Sequence, residues 1–271
     1  NKANNFEEFQ TALEIQGLVS TNIVYADEKD NIFYISNGKI PIRDANYDWK
    51  NVLPGDTTAT LWENEFVSLE DIPQVLNPKA GYVFNTNNSP FNSTATAENP
   101  KQTDLNETMG YQELGIENNR SQRFMELIAE YDKLSWEDFK RIKFDRTYPQ
   151  HLQTVHIQNL ELLLQLKPEK YADLSDAIQM LNEWNRETEL SNETAALFIT
   201  AVYFLHDGLT EQDRLHRGGS ITEQDAVAAI RQAKEQLLKD FGTIQKRRIS
   251  MPRSLRLNLY LVLLFGLGEG A

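Results

Sequence analysis

The chain contains no cysteine, which rules out disulfides, thiolate nucleophiles and cysteine-based metal sites. Histidine is scarce, with 4 in 271 residues. His151 and His156 are five apart, a spacing that does not put two ligands on one helix face. No H-E-x-x-H pattern occurs, so neither a metal nor any other cofactor is expected. A G-x-S-x-G elbow and a phosphate-cradling glycine loop are also missing, and Gly218-Gly219 stands as an isolated pair. Basic residues are outnumbered, 27 Lys and Arg against 40 Asp and Glu, for a formal net charge of −13. Phosphate backbones are held by clustered Lys and Arg, so no nucleic-acid partner is expected. The most apolar stretch, Leu255–Leu267, contains Arg256 and Asn258. It is shorter than the ~20 residues a membrane helix needs, so no membrane span is expected.

What is present suits a soluble globular protein long enough to bury a real core: 40% hydrophobic and 25% charged residues. The first residue is Asn1, and nothing near it resembles a signal peptide. The chain therefore reads as a processed product or a fragment.

The first part is patterned for strands. "NNFEEFQTAL" predicts a short helix capped by Asn5, with Phe6, Phe9 and Leu13 on one face. Ile23–Tyr25 and Ile32–Ile35 are β-rich runs around a polar turn, which predicts a hairpin. A turn-rich segment from Pro41 to Pro78 carries "LPGD" and the aromatic anchors Trp49 and Trp62. A third strand is predicted at Gly81–Phe84, followed by a long polar loop from Asn85 to about Asn118. From Arg120 the pattern becomes helical. Phe124, Leu127, Ile128 and Tyr131 have helical spacing, and Ser135 caps "WEDFKRI". Further helices are predicted at roughly His151–Leu166, Ser175–Glu187, Asn192–Leu205 and Glu223–Phe241. Strands first and helices second predict an α+β fold or a piece of a layered sandwich. The expected division is a partial sheet region at 1–118, a helical subdomain at 119–245 and an atypical basic, then apolar, tail at 246–271.

The segment that invites a functional reading is "GYVFNTNNSPF", Gly81–Phe91. Uncharged amides after an apolar run can end a strand, or they can aim N–H donors at a developing negative charge. Residue pattern alone leaves both readings open.

The order of several segments decides further. "NIVYADEKDNIFYISNGKIPIRD", "LPGD", "IPQVLNPKAGYVFNTNNSPF", "NNRSQRFMELI" and "LNEWNRETELSNETAALF" together resemble the β chain of the penicillin acylase family, over roughly Phe6 to Thr243. Within that family the chain looks most like the aculeacin- and acyl-homoserine-lactone-type acylases. The resemblance implies an amino-terminal-nucleophile hydrolase with an αββα sandwich, cut from a precursor (a zymogen) into α and β chains. It implies amide hydrolysis, of a β-lactam, lipopeptide or acyl-homoserine lactone side chain, in the bacterial periplasm or outside the cell, in the setting of antibiotic metabolism. By the same resemblance, Asn87 is the oxyanion-hole residue and Arg120 an orienting residue. The nucleophile is absent from this chain and expected upstream. Partners implied are the α chain, the remaining parts of the β chain and a small-molecule amide. Some family members hold a structural calcium, for which the sequence assigns no residue. The rival reading is a relative that kept the fold as a binding or scaffold protein and lost the chemistry. Asn185 stands where relatives often have an acidic residue. After "FGTI" the tail departs from the family's continuing strands, as either genuine divergence or an altered end would produce.

Overall fold

A computed structural model describes residues 2–18, 20–49, 51–62, 64–101, 118–152, 157–208 and 219–246. The tail from 247 onward, together with His156 and His216, lies outside them. The chain divides into two compact units, Asn1–Ile116 and Glu117–Ala271.

The first unit opens with helix α1, Phe6–Glu14. Asn5 Oδ1 caps it by accepting the Glu8 N–H at 2.9 Å, which satisfies one of the amides a helix start leaves open. Strands β1 (Thr21–Ala26) and β2 (Ile32–Asn37) form the predicted hairpin, with Val24 opposite Tyr34 and Asn22 opposite Ser36. Its turn is organised by Asp27, whose carboxylate accepts from the backbone of Lys29 and Asn31 and from the Tyr25 hydroxyl. Asp30 takes the left-handed conformation that the tight reversal requires. Phe33 and Ile35 face α1, where Phe6 meets Phe33 edge-on at 5.2 Å and Phe9 stacks on Tyr25 at 4.6 Å. Alternation along β2 sends Tyr34 and Ser36 to the opposite face, yet these are buried too. β2 is thus a central strand covered on both sides.

The third strand is not at Gly81–Phe84. It is β3, Gln74–Leu76, antiparallel to β2. The Asn77 side-chain oxygen receives the Ile32 N–H at 2.8 Å, closing that edge just beyond the ladder. Gly81–Phe84 lacks a ladder because its polar groups are used locally, within the loop that follows it.

The second unit begins with α2 (Asn119–Ile128) and α3 (Trp136–Lys143), each opened by a reciprocal capping box, Asn118 with Ser121 and Ser135 with Asp138. The helix predicted from His151 to Leu166 is not formed. Ile157–Gln158 is instead a short strand, β4, followed by a 3₁₀ segment at Leu160–Leu164, and 153–156 lie outside the described residues. Asn159 at φ +61° turns the chain between them, and Leu160 and Leu163 sit in the core. After α4 (Ser175–Asn182) and α5 (Ala195–Asp207), β5 (Gly219–Ser220) pairs with β4 in parallel. Strand pairing is therefore not confined to the first third. Helix α6, Glu223–Phe241, packs on α5 through Ala226, Ala229, Ile230, Ala233 and Leu237, one face of small and branched residues. Trp184 lies against Phe198 at 4.5 Å and Tyr148 at 5.7 Å, joining the α4 end to that core. The architecture is α+β.

Candidate functional site

The polar stretch after Phe84 is a closed loop. Its neck is the Phe84 N–H donating to Ser93 O at 2.9 Å, flanked by the Thr94 hydroxyl donating to Tyr82 O at 2.8 Å. Asn99 Oδ1 receives the N–H groups of both Ser93 and Thr94, at 2.7 and 2.9 Å. Glu98 reaches back to the turn that precedes the loop, where its two carboxylate oxygens accept from Lys79 N–H at 2.6 Å and Ala80 N–H at 2.8 Å. Backbone donors that would serve a ladder in a strand bond to side-chain oxygens instead.

Inside the loop each asparagine has a separate job. Asn88 is buried, and its Oδ1 receives both the Thr86 N–H (2.7 Å) and the Thr86 hydroxyl (2.8 Å). Its amide nitrogen donates to the carbonyls of Ser89 and Asn92. Asn85 Oδ1 receives the Asn87 N–H at 2.9 Å. Asn87 itself is exposed and left-handed, at φ +58°, a conformation asparagine tolerates better than most residues. Below, Ser89, Pro90 and Phe91 are buried and anchor the loop. The result is an exposed amide-bearing residue whose backbone N–H is held by Asn85, in a turn that Asn88 braces through Thr86.

Arg120 lies in the second unit, on the first turn of α2. Burial of part of its guanidinium lowers its pKa, while the residue as a whole stays exposed. Arg123, one turn along, is committed elsewhere. It clasps Asp145 and also reaches Glu126, pairings that raise its pKa, chiefly through the Asp145 hydrogen bonds. Asn185 Oδ1 accepts from Glu187 N–H and from the Asn192 side chain, so the residue shapes the turn after α4. Among the described residues no group of three or more His, Cys, Asp or Glu side chains gathers to hold a metal ion, and no helix is long and apolar enough to cross a membrane.

Sequence pattern passes over Asn22 and Tyr34, which the structure connects to this loop. The Tyr34 hydroxyl donates to Asn22 Oδ1 at 3.0 Å, and Asn22 Nδ2 donates to Asn85 Oδ1 at 3.3 Å. The visible signal is a lone amide at the start of an otherwise apolar strand.

Comparison with known proteins gives three findings. The penicillin amidase family matches residues 1–255, which includes the first part of the atypical tail. Penicillin G acylase of Escherichia coli is 37% identical over 89 residues, a stretch that is 33% of this chain and 10% of that protein. The solved structure of the thermostable penicillin G acylase from Alcaligenes faecalis, in orthorhombic form, superposes with a TM-score of 0.60 at 21% identity. That superposition covers 93% of this chain and 52% of the other, so the chain spans about half the length of the solved relative and shares its fold over that stretch. With the family matched across nearly its whole length, the chain belongs to the penicillin amidase family.

Proposed function

We propose that this chain supplies the oxyanion side of an acylase site that hydrolyses an N-acyl amide, within an amino-terminal-nucleophile αββα sandwich. The attacking hydroxyl comes from a residue outside these 271, at the start of a mature β chain whose own α-amino group accepts its proton. The hydroxyl oxygen bonds to the amide carbon and the carbonyl electron pair moves onto oxygen. Collapse then breaks the C–N bond, the proton leaves with the amine, and water later frees the acyl group. Asn87 donates its side-chain N–H to the transient oxyanion, a role worth ~3–4 kcal/mol of barrier for one donor. Arg120 orients the site through its fixed fork of donors. The substrate is the acylated amine of a β-lactam, lipopeptide or homoserine lactone, and the protein works in the periplasm or outside the cell with its α chain.

The observation that carries this reading is the pre-set loop. Asn87 is left-handed and exposed, with its backbone N–H held by Asn85 in a loop that Asn88 braces through Thr86, so the backbone that carries the donor is set before charge develops. The test is Asn87→Ala in the complete acylase, assayed with a chromogenic acyl-amide. A fall of ~10²–10³ in kcat with folding retained is expected. Full activity would discard Asn87 as the donor, and an inactive parent protein would favour the scaffold reading.

A further inference from the structure

We infer that Tyr34, Asn22 and Asn85 form a one-directional hydrogen-bond relay that positions Asn87, so that Tyr34 and Asn22 are positioning residues for the oxyanion donor. The inference rests on Asn87 being that donor.

The relay's direction follows from its far end. A backbone N–H can only donate, so the Asn87 N–H, 2.9 Å from Asn85, requires Asn85 to present its carbonyl oxygen. Asn22 meets that same oxygen at 3.3 Å and must therefore present its NH₂. Its own carbonyl is then turned to Tyr34, whose hydroxyl is left to donate, at 3.0 Å. Amide orientation, ordinarily an assignment from the network, is dictated in this relay by one main-chain group.

The inner end is rigid. Tyr34 is 1% exposed on the central strand, where a buried hydroxyl needs a partner and holds it in place. Asn22 reaches Tyr34 as a diagonal neighbour on the same sheet face, since its direct partner across the ladder is Ser36. The outer two links touch solvent, so water competes with them and each is worth less than a dry bond. The relay thus links the rigid strand β2 to the turn that carries Asn87.

The tests use the complete acylase, with kcat, KM and amide exchange of the 82–91 segment measured on the same proteins. Tyr34→Phe removes only the hydroxyl. Asn22→Asp keeps the acceptor for Tyr34 and loses the donor to Asn85. Asn85→Asp keeps acceptors for both of its donors, whereas Asn85→Leu keeps none. Expected results are an Asn87 N–H that exchanges faster in Tyr34→Phe, Asn22→Asp and Asn85→Leu but stays protected in Asn85→Asp. In Tyr34→Phe and Asn22→Asp, kcat should fall about tenfold with KM little changed, the size expected for a modest misplacement of a reacting group. Unchanged exchange in Asn22→Asp and Tyr34→Phe overturns the relay, as does a large kcat loss in Asn87→Ala with none in those two. Faster exchange together with an unaffected Asn87→Ala overturns the donor reading instead.

Discussion

The guanidinium of Arg123 clasps both carboxylate oxygens of Asp145, each at 3.0 Å, from Nε and Nη2. The pair is largely screened from water, with side chains 24% and 17% exposed. Burial alone would raise the Asp145 pKa, but the Arg123 hydrogen bonds and the Thr147 N–H outweigh it and bring it below its ordinary value. Arg123→Ala would strand that carboxylate and release Glu126, which also holds the Gln150 N–H. A loss of about 2 kcal/mol is expected, read as a drop of roughly 4–8 °C in Tm, with kcat unchanged. Arg120→Ala should do the reverse, lowering kcat with little effect on Tm. The two neighbouring arginines are separated by this one comparison.

Asn88 should matter to the loop more through stability than through chemistry. It is 6% exposed, and its truncation leaves the Thr86 N–H and the Asn92 carbonyl short of a partner. Asn88→Ala is expected to cost about 2–3 kcal/mol, measured as a lower urea midpoint. Asn88→Asp should not rescue it, because a carboxylate cannot donate to the Ser89 and Asn92 carbonyls.

Acid should loosen the β1–β2 hairpin through Asp27. The Asn31 side chain foremost, then the Asn31 backbone, Tyr25 and the Lys29 N–H, lower the Asp27 pKa from 3.8 to about 2. A lowered folded-state pKa gives stability that is fully present above the ordinary value and is lost as pH falls through the folded one. Amide protection of the hairpin should therefore decline between pH 3.8 and about 2, and Asp27→Asn should flatten that decline. A curve of identical slope in the variant would remove Asp27 as its cause.

Helix α6 ends on Gly242 at φ +71°, with open space where a Cβ would stand. Gly242→Ala meets no clash, so its cost is conformational, about 1–2 kcal/mol. Gly242→Asn should cost less, since asparagine visits that region more readily. Thermal unfolding of the two variants gives the order directly.

Local chemistry made much of the fold readable. Asn5, Ser135 and the repeat of apolar positions in α6 act within a few residues of where they stand, and the structure places a cap or a helix at each. Gly81–Phe84 and His151–Leu166 misled because their apolar content is read by tertiary partners. Leu160 and Leu163 fill the helical core from a 3₁₀ segment. The Tyr82 carbonyl and Phe84 N–H go to Thr94 and Ser93 rather than to a neighbouring strand. The asparagine loop was conspicuous in composition, whereas its support was not. Tyr34 and Asn85 are 51 positions apart, and only strand pairing brings Asn22 between them. A contact of that kind depends on register, which residue spacing does not encode.

The seat of Trp184 against Phe198 and Tyr148 also has a spectroscopic meaning. Of the four tryptophans, Trp62 and Trp136 are 61% and 68% exposed, Trp49 is half-buried, and Trp184 is 7% exposed. A small water-borne quencher should silence Trp62 and Trp136 first and leave a blue-shifted residual emission dominated by Trp184. That residual light reports chiefly on the packing of Trp184 against Phe198 of α5 and Tyr148, an optical gauge of the helical core built into the native chain.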